Sequence, residues 1–347
     1  MCGGKMKRFS FLFFLFLIIA VCSGCTGSVS NSADSNDFTI VATNFVGYDI
    51  AKSIVGENAD VVMLLSPGEE THSFDPTPAD IITIQNSDVF LYVGGESDDW
   101  IRNILSSMEE SDMIAISFMD QVSLYEEEHK EGMMESRGHD HEHEHDADSC
   151  ELDHDHDSVD DEIMDGDREH NEYDEHVWTS VRNAIYLVNA VVEAASDAKP
   201  ECSDLFHENA ENYISQLEDL DHAYHEVVDN ADRKWLLFGD RFPFLYMMKE
   251  YGLDYYAAFP GCSSETEPNA ATIAFLIDKG QDYDVPVVLK ESLSNGNIAS
   301  AIAEEIDAEV MTMYSCDNIP ANDFEQGESY LSLMRKNLEV LKEALNK

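Results

Sequence analysis

The sequence predicts an α/β protein of two Rossmann-like lobes, each built on a parallel sheet, joined by a long helical strut. Three observations carry that expectation. Short apolar runs rich in β-branched residues alternate with segments of helical period, first over residues 38–117 and again over 235–313. Between these blocks, Leu205, Ala210, Tyr213, Ile214, Leu217, Leu220, Tyr224 and Val228 keep one helical period through residues 201–230. A helix of that length runs roughly 45 Å. The chain also has 347 residues and 44% hydrophobic content, enough for two cores.

Taken in order, residues 38–43 read as a buried strand, 50–55 as a helix and 60–65 as a second strand. Helical patterns at 79–87 and 100–108 flank a strand at 89–93 that runs into Gly94-Gly95, and 113–117 is a fourth strand. Residues 181–195 are helical, with Pro200 beyond their end. The second block gives alternating elements at 235–238, 245–251, 255–259, 270–278, 286–289, 298–305 and 309–313, closed by a helix at 327–345. The expected boundaries are an N-terminal lobe at 38–180, a helical linker at 181–231 and a C-terminal lobe at 232–347.

Charge narrows the function. Against 71 Asp+Glu stand 20 Lys+Arg, a net charge of −51 that excludes nucleic-acid binding through a basic surface. Residues 126–175 hold 23 acidic and three basic side chains, so −20 belongs to this stretch and −31 to the rest. With eight histidines and few apolar residues, it reads as a disordered insert.

Residues 1–24 read as a signal peptide: Lys5, Lys7 and Arg8 precede an apolar run at 9–21 that is short for a bilayer span. Cys22-Ser-Gly-Cys25 resembles a lipobox, with Cys25 as the lipidated first residue and 25–37 as a flexible tether. The expected location is the outer face of the cytoplasmic membrane, held there by the lipid anchor.

Two segments carry metal chemistry. In Ser66-Pro-Gly-Glu-Glu-Thr-His72-Ser-Phe-Asp-Pro-Thr-Pro78, the prolines and Gly68 stiffen a loop that presents His72. Taken alone, a solvated loop histidine is the alternative. Asp174-Glu-His176-Val-Trp178 sets an imidazole among carboxylates able to orient it.

Together, Pro-Gly-x-x-x-His-x-Phe-x-Pro-Thr-Pro, a histidine-rich insert and Asp-x-His-Val-Trp resemble the metal-binding solute-binding proteins of ABC importers, the zinc-uptake group most of all. Tyr251-Gly-Leu253 and the stretch from Gly327 to Asn337 extend the resemblance over about residues 38–347. It implies a metal site in the interlobe cleft, a Zn²⁺ cargo (Mn²⁺ as the alternative), and delivery to an ABC permease by a monomer that is not an enzyme. His72 and His176 match two family ligands. The third family histidine falls in Phe238-Gly239-Asp240-Arg241-Phe242, where glycine replaces it. Asp240 is then the candidate, unless it pairs with Arg241 or a backbone amide. Asp317 matches the fourth ligand, with Glu291, Glu265 and Glu267 in reserve. Two oxygen ligands shift preference toward manganese, although zinc binds the same site more tightly.

His139, His141, His143, His145, His154 and His156 alternate with acids in the insert and suit weak, multi-ion capture, with Cys150 as a soft donor. The H-E-x-x-H match at 141–145 carries little weight in low-complexity sequence. Cys262 and Cys316 are the favoured disulfide pair outside the cytoplasm, with Cys202 a further candidate. His222 and His225 share a face of the long helix and read as solvated. The other function classes are a secreted zinc metalloenzyme, for which no clear base lies near His72 or His176, and a metal-dependent adhesin of the same fold.

Overall fold

A computed structural model describes residues 37–71, 74–108, 112–133, 172–263 and 268–347. The N-terminal lobe runs β1 (Thr39–Ala42), α1 (Phe45–Val55), β2 (Asp60–Met63), α2 (Pro78–Gln85), β3 (Val89–Tyr92), α3 (Asp99–Ser106) and β4 (Ile114–Ser117). Its four strands are parallel in the order β2-β1-β3-β4. After α4 (Val181–Ala198) and α5 (Ser203–Asp229) comes the C-terminal lobe. It runs β5 (Trp235–Phe242), α6 (Leu245–Tyr251), β6 (Asp254–Pro260), α7 (Ala270–Asp282), β7 (Val287–Glu291), α8 (Asn297–Ile306), β8 (Glu309–Met313), α9 (Ala321–Glu325) and α10 (Tyr330–Asn346). Its parallel order, β6-β5-β7-β8, repeats the first lobe's. Two parallel-sheet lobes and a long helix are the architecture the sequence predicts.

In each sheet the first strand lies between the second and third, so the connections leave it to opposite sides. Ligands of such sheets bind beyond the carboxyl ends of the strands at this switch point. Asn44 follows β1, Asp98 follows β3, Asp240 lies near the end of β5 and Glu291 ends β7. The fold therefore gathers these polar groups on one side of each sheet.

Helix α1 starts at Phe45 rather than 50, because the Asn44 side chain caps it by accepting from Gly47 N at 3.2 Å. Gly47 weakens the local helix signal in the sequence. The strut α5 has 27 residues and buries Phe206, Ala210, Tyr213, Leu217, Leu220, Tyr224 and Val228. Full burial of one such large side chain is worth about 1.5–3 kcal/mol. Leu205 departs from the expected stripe and is exposed. The strut touches both lobes: Asn209 donates to Ile54 O (2.8 Å) and Tyr213 OH to Asp49 (3.3 Å), while Tyr224 OH donates to Met334 O (2.6 Å).

Residues 126–133 and 172–175, which fall within the expected insert, pack against the fold. Glu126 and Tyr173 form an antiparallel bridge, and Glu127 N donates to Glu172 O at 2.8 Å. Side chains of this stretch find partners on the C-terminal lobe: Cys262 N donates to Glu127 (2.8 Å), Lys249 pairs with Glu128 and Lys130 with Asp254.

The expected Cys262–Cys316 bridge is absent, and both are free thiols, as is Cys202. The pair sit in separate surroundings. Cys316 is buried near Asp49, Glu291 and Asp317, its Sγ 3.8 Å from Tyr314 O, whereas Cys262 faces Asp174, Glu175 and Glu127. Cys25 with the leader, His72, Cys150, the six insert histidines, Glu265 and Glu267 lie outside the described residues. Among the described residues no helix is long and apolar enough to cross a membrane.

Candidate metal centre

His176 closes the loop before a short 3-10 turn at Val177–Thr179 and is buried, as are Asp174 and Glu175 beside it. Asp174 Oδ1 accepts from His176 N at 2.8 Å and lies 3.2 Å from Nδ1. A carboxylate in this position fixes the ring and raises its basicity. The segment is pinned to the C-terminal lobe, because Trp178 Nε1 donates to Ser315 O (2.8 Å) and Tyr330 OH to Trp178 O (2.7 Å).

Asp317 reaches the same place from the loop after β8. Its Oδ1 accepts from Asn44 Nδ2 at 3.3 Å, and its carbonyl accepts from Phe45 N at 3.0 Å. The neighbouring Asn318 donates to Ser66 O and Glu69 O at 2.8 and 2.9 Å, tying the proline-rich loop to the C-terminal lobe. His176 and Asp317 line two adjoining pockets. One adds Thr71, Phe74, Asp98 and Glu175, and the other Glu70, Arg241, Glu291 and Ser315. The two sequence-predicted residues thus meet in a cleft walled by both lobes, and Thr71 and Phe74 bring the chain on either side of residues 72–73 to it.

Asp240 is buried but lines neither pocket. Its Oδ1 accepts from Arg241 N at 3.0 Å, and its Oδ2 is buried with no hydrogen-bond partner. Glu291, a reserve candidate, does line the cleft. Ser292 Oγ (2.6 Å) and Ser315 Oγ (3.1 Å) donate to its Oε1, and Leu293 N (2.5 Å) to Oε2. Glycine stands at 239 for a steric reason: a Cβ there would lie 2.4 Å from Ala299 Cα and 2.8 Å from Ala299 N. No histidine can occupy the position unless α8 moves.

The cleft is strongly anionic. Burial pushes the Asp98 carboxyl up to about 6 although Gly94 N and Val93 N donate to it, and Glu175 and Asp317 push in the same direction. Burial alone would lower the His176 pKa, but Asp174, with Asp317 and Glu175, raises it to about 9. The imidazolium thus partly balances the carboxylates where a metal cation would. Metal binding requires the neutral ring and would displace that proton. Asp98 was missed as a cleft group by sequence reasoning, whereas Glu175 is one of the carboxylates it set beside His176. Asp98 was readable only through its place just past the Gly94-Gly95 strand end.

The family model for ZnuA, the periplasmic zinc-uptake complex component A, matches residues 40–344. The chain belongs to this family. Among ZnuA relatives, a zinc-binding protein AdcA of Streptococcus pyogenes is 29% identical over 312 residues, covering 87% of this chain and 55% of the relative. The chain thus spans about half the length of the AdcA relatives it matches. The high-affinity zinc uptake system protein ZnuA of Bacillus subtilis is 28% identical, with 90% of each chain covered. In structure, the Zn(II)-bound ZnuA-like domain of Streptococcus pneumoniae AdcA superposes with a TM-score of 0.68 over 89% of this chain and 99% of that one, at 24% identity. That likeness supports the ZnuA-type fold.

Proposed function

We propose that this chain is an exported, lipid-anchored solute-binding protein that captures one Zn²⁺ in the interlobe cleft and delivers it to an ABC permease. The observation that carries this reading is the meeting of His176, oriented by Asp174, with Asp317 in a cleft lined by Asp98, Glu175 and Glu291. His72, between two residues that line the same pocket, supplies the second imidazole. A borderline cation suits mixed imidazole and carboxylate donors. Glu291 is better placed than Asp240 to stand in for the missing third histidine, because it lines the cleft. The zinc named in the relatives' descriptions, and their membership of an uptake complex, agree with a cargo role rather than turnover.

Metal content and Zn²⁺ titration of the mature protein test this. One tight equivalent should be lost in the His72→Ala, His176→Ala double variant. Tight binding that survives the double change overturns the cleft.

A further inference from the structure

We propose that Asp221, His225 and Glu250 form a second divalent-metal site, away from the cleft, that clips the strut to the C-terminal lobe. The three side chains bring one ligand atom each within 4.8 Å of one another. Asp221 and His225 stand one turn apart on α5, and Glu250 comes from the last turn of α6. All three are half-buried, with side-chain exposures of 15%, 38% and 18%, so solvent still reaches the cluster.

One imidazole facing two carboxylates is a donor set that a transition-metal ion can use. His225 Nε2 is 3.9 Å from Asp221 Oδ1, too far for a hydrogen bond. Two donors bonded tetrahedrally to one zinc at about 2.0–2.2 Å are themselves about 3.3–3.6 Å apart, so a side-chain shift of a few tenths of an ångström would bring this pair onto a shared ion. The donors are also held in place. Tyr251 OH donates to Asp221 Oδ1 at 2.9 Å, and the Tyr251 ring meets the His225 ring edge to face at 5.0 Å. Arg182 Nη1 lies 3.2 Å from Glu250 Oε1 and competes for that carboxylate, but a carboxylate can hold a guanidinium on one oxygen and a metal on the other. One imidazole and two carboxylates, with positions open to water, suit Zn²⁺, Co²⁺ or Mn²⁺ and bind less tightly than a closed four-ligand site. This inference does not depend on the cleft reading, since it shares no residue with it.

The test is equilibrium dialysis of the full mature chain against Zn²⁺ alone, repeated with Co²⁺. It is run in the otherwise unchanged protein and in the His72→Ala, His176→Ala background. His225→Ala and Glu250→Gln should each remove one equivalent in both backgrounds. They should also reduce the rise in Tm produced by saturating Zn²⁺, while leaving the metal-free Tm close to that of the parent. An unchanged number of equivalents in His225→Ala overturns the site. Loss in His225→Ala but not in Glu250→Gln overturns it too, because a lone surface histidine would then account for the binding. Loss in Glu250→Gln alone is equally fatal, since the ion would then not use the imidazole.

Discussion

Arg241 grips Glu70 across the cleft, its two Nη atoms 2.8 and 2.7 Å from the two carboxylate oxygens. One partner sits on β5 and the other on the proline-rich loop of the opposite lobe, so this fork spans the mouth of the proposed site. Paired, planar donors make it stronger than an ordinary surface ion pair. Glu70 is nevertheless well exposed, so the pair is worth about 1 kcal/mol. Glu70→Gln should speed Zn²⁺ dissociation about fivefold, the equivalent of that energy, and leave the melting temperature little changed. Stopped-flow transfer to a chelator measures the rate. The difference from the parent should shrink as salt rises, because screening weakens an exposed pair; an unchanged rate at low salt contradicts the gating role.

Gly239→His should not restore the family's third imidazole. The new Cβ would meet the Ala299 backbone at 2.4 Å, and backbone cannot rotate aside as a side chain can. Overpacking of this kind costs about 1–3 kcal/mol. The expected result is a lower denaturant midpoint with no gain in Zn²⁺ affinity by competition titration. Tighter binding would mean that α8 yields easily and that the position remains available to a ligand.

That glycine also shows what a sequence can and cannot carry. Strand and helix order, the two lobes and the strut were readable because hydrophobic period is local. His176 was readable from the carboxylates beside it in a short run, and Asp317 only through the family resemblance, which places a ligand after the last strand. The reason for Gly239 was not, since Ala299 is distant in sequence and only the packing of α8 on β5 brings them together. The same holds for Glu291, whose three donors come partly from Ser315, and for the Asp221, His225 and Glu250 cluster, which needs two helices to cross. The Cys262–Cys316 expectation failed likewise, because both follow strands of one lobe yet lie in different surroundings. Sequence spacing reports the end of a strand but not the direction of the side chain beyond it.

Removing residues 134–171 should leave the tight Zn²⁺ equivalent intact. Both ends of the deleted stretch are held independently, through the Glu126–Tyr173 bridge, the Glu127–Cys262 bond and the Lys130–Asp254 pair. Joining 133 to 172 with a short Gly/Ser linker therefore preserves the anchored stem. Isothermal titration should show the insert's weak equivalents gone, with the tight one and any ion held by Asp221, His225 and Glu250 retained. Loss of the tight ion would instead assign one of its ligands to the insert.

Asp49 should make the fold lose stability as pH rises. Its carboxylate Oδ2 accepts from Tyr330 N at 3.0 Å and from Tyr213 OH at 3.3 Å, yet burial outweighs both and pushes its pKa from 3.8 up to about 6. A raised carboxyl pKa means that the folded state holds the proton more tightly than the unfolded chain does. The favourable contribution is then complete below about pH 4 and is lost as pH climbs to about 6, beyond which the cost is constant at roughly 3 kcal/mol. Asp49→Asn keeps an acceptor oxygen for both donors and removes the charge. The gain above pH 6 should fall short of the full amount, about 1–2 kcal/mol, because the amide hydrogens need partners of their own. Urea unfolding of both proteins at intervals from pH 4 to 7 measures this as a difference, which cancels every other titrating group. The gap between variant and parent should widen in favour of the variant as pH rises from 4 to 6 and then stay level. A gap that is flat across that range would mean Asp49 titrates alike in the folded and unfolded chain.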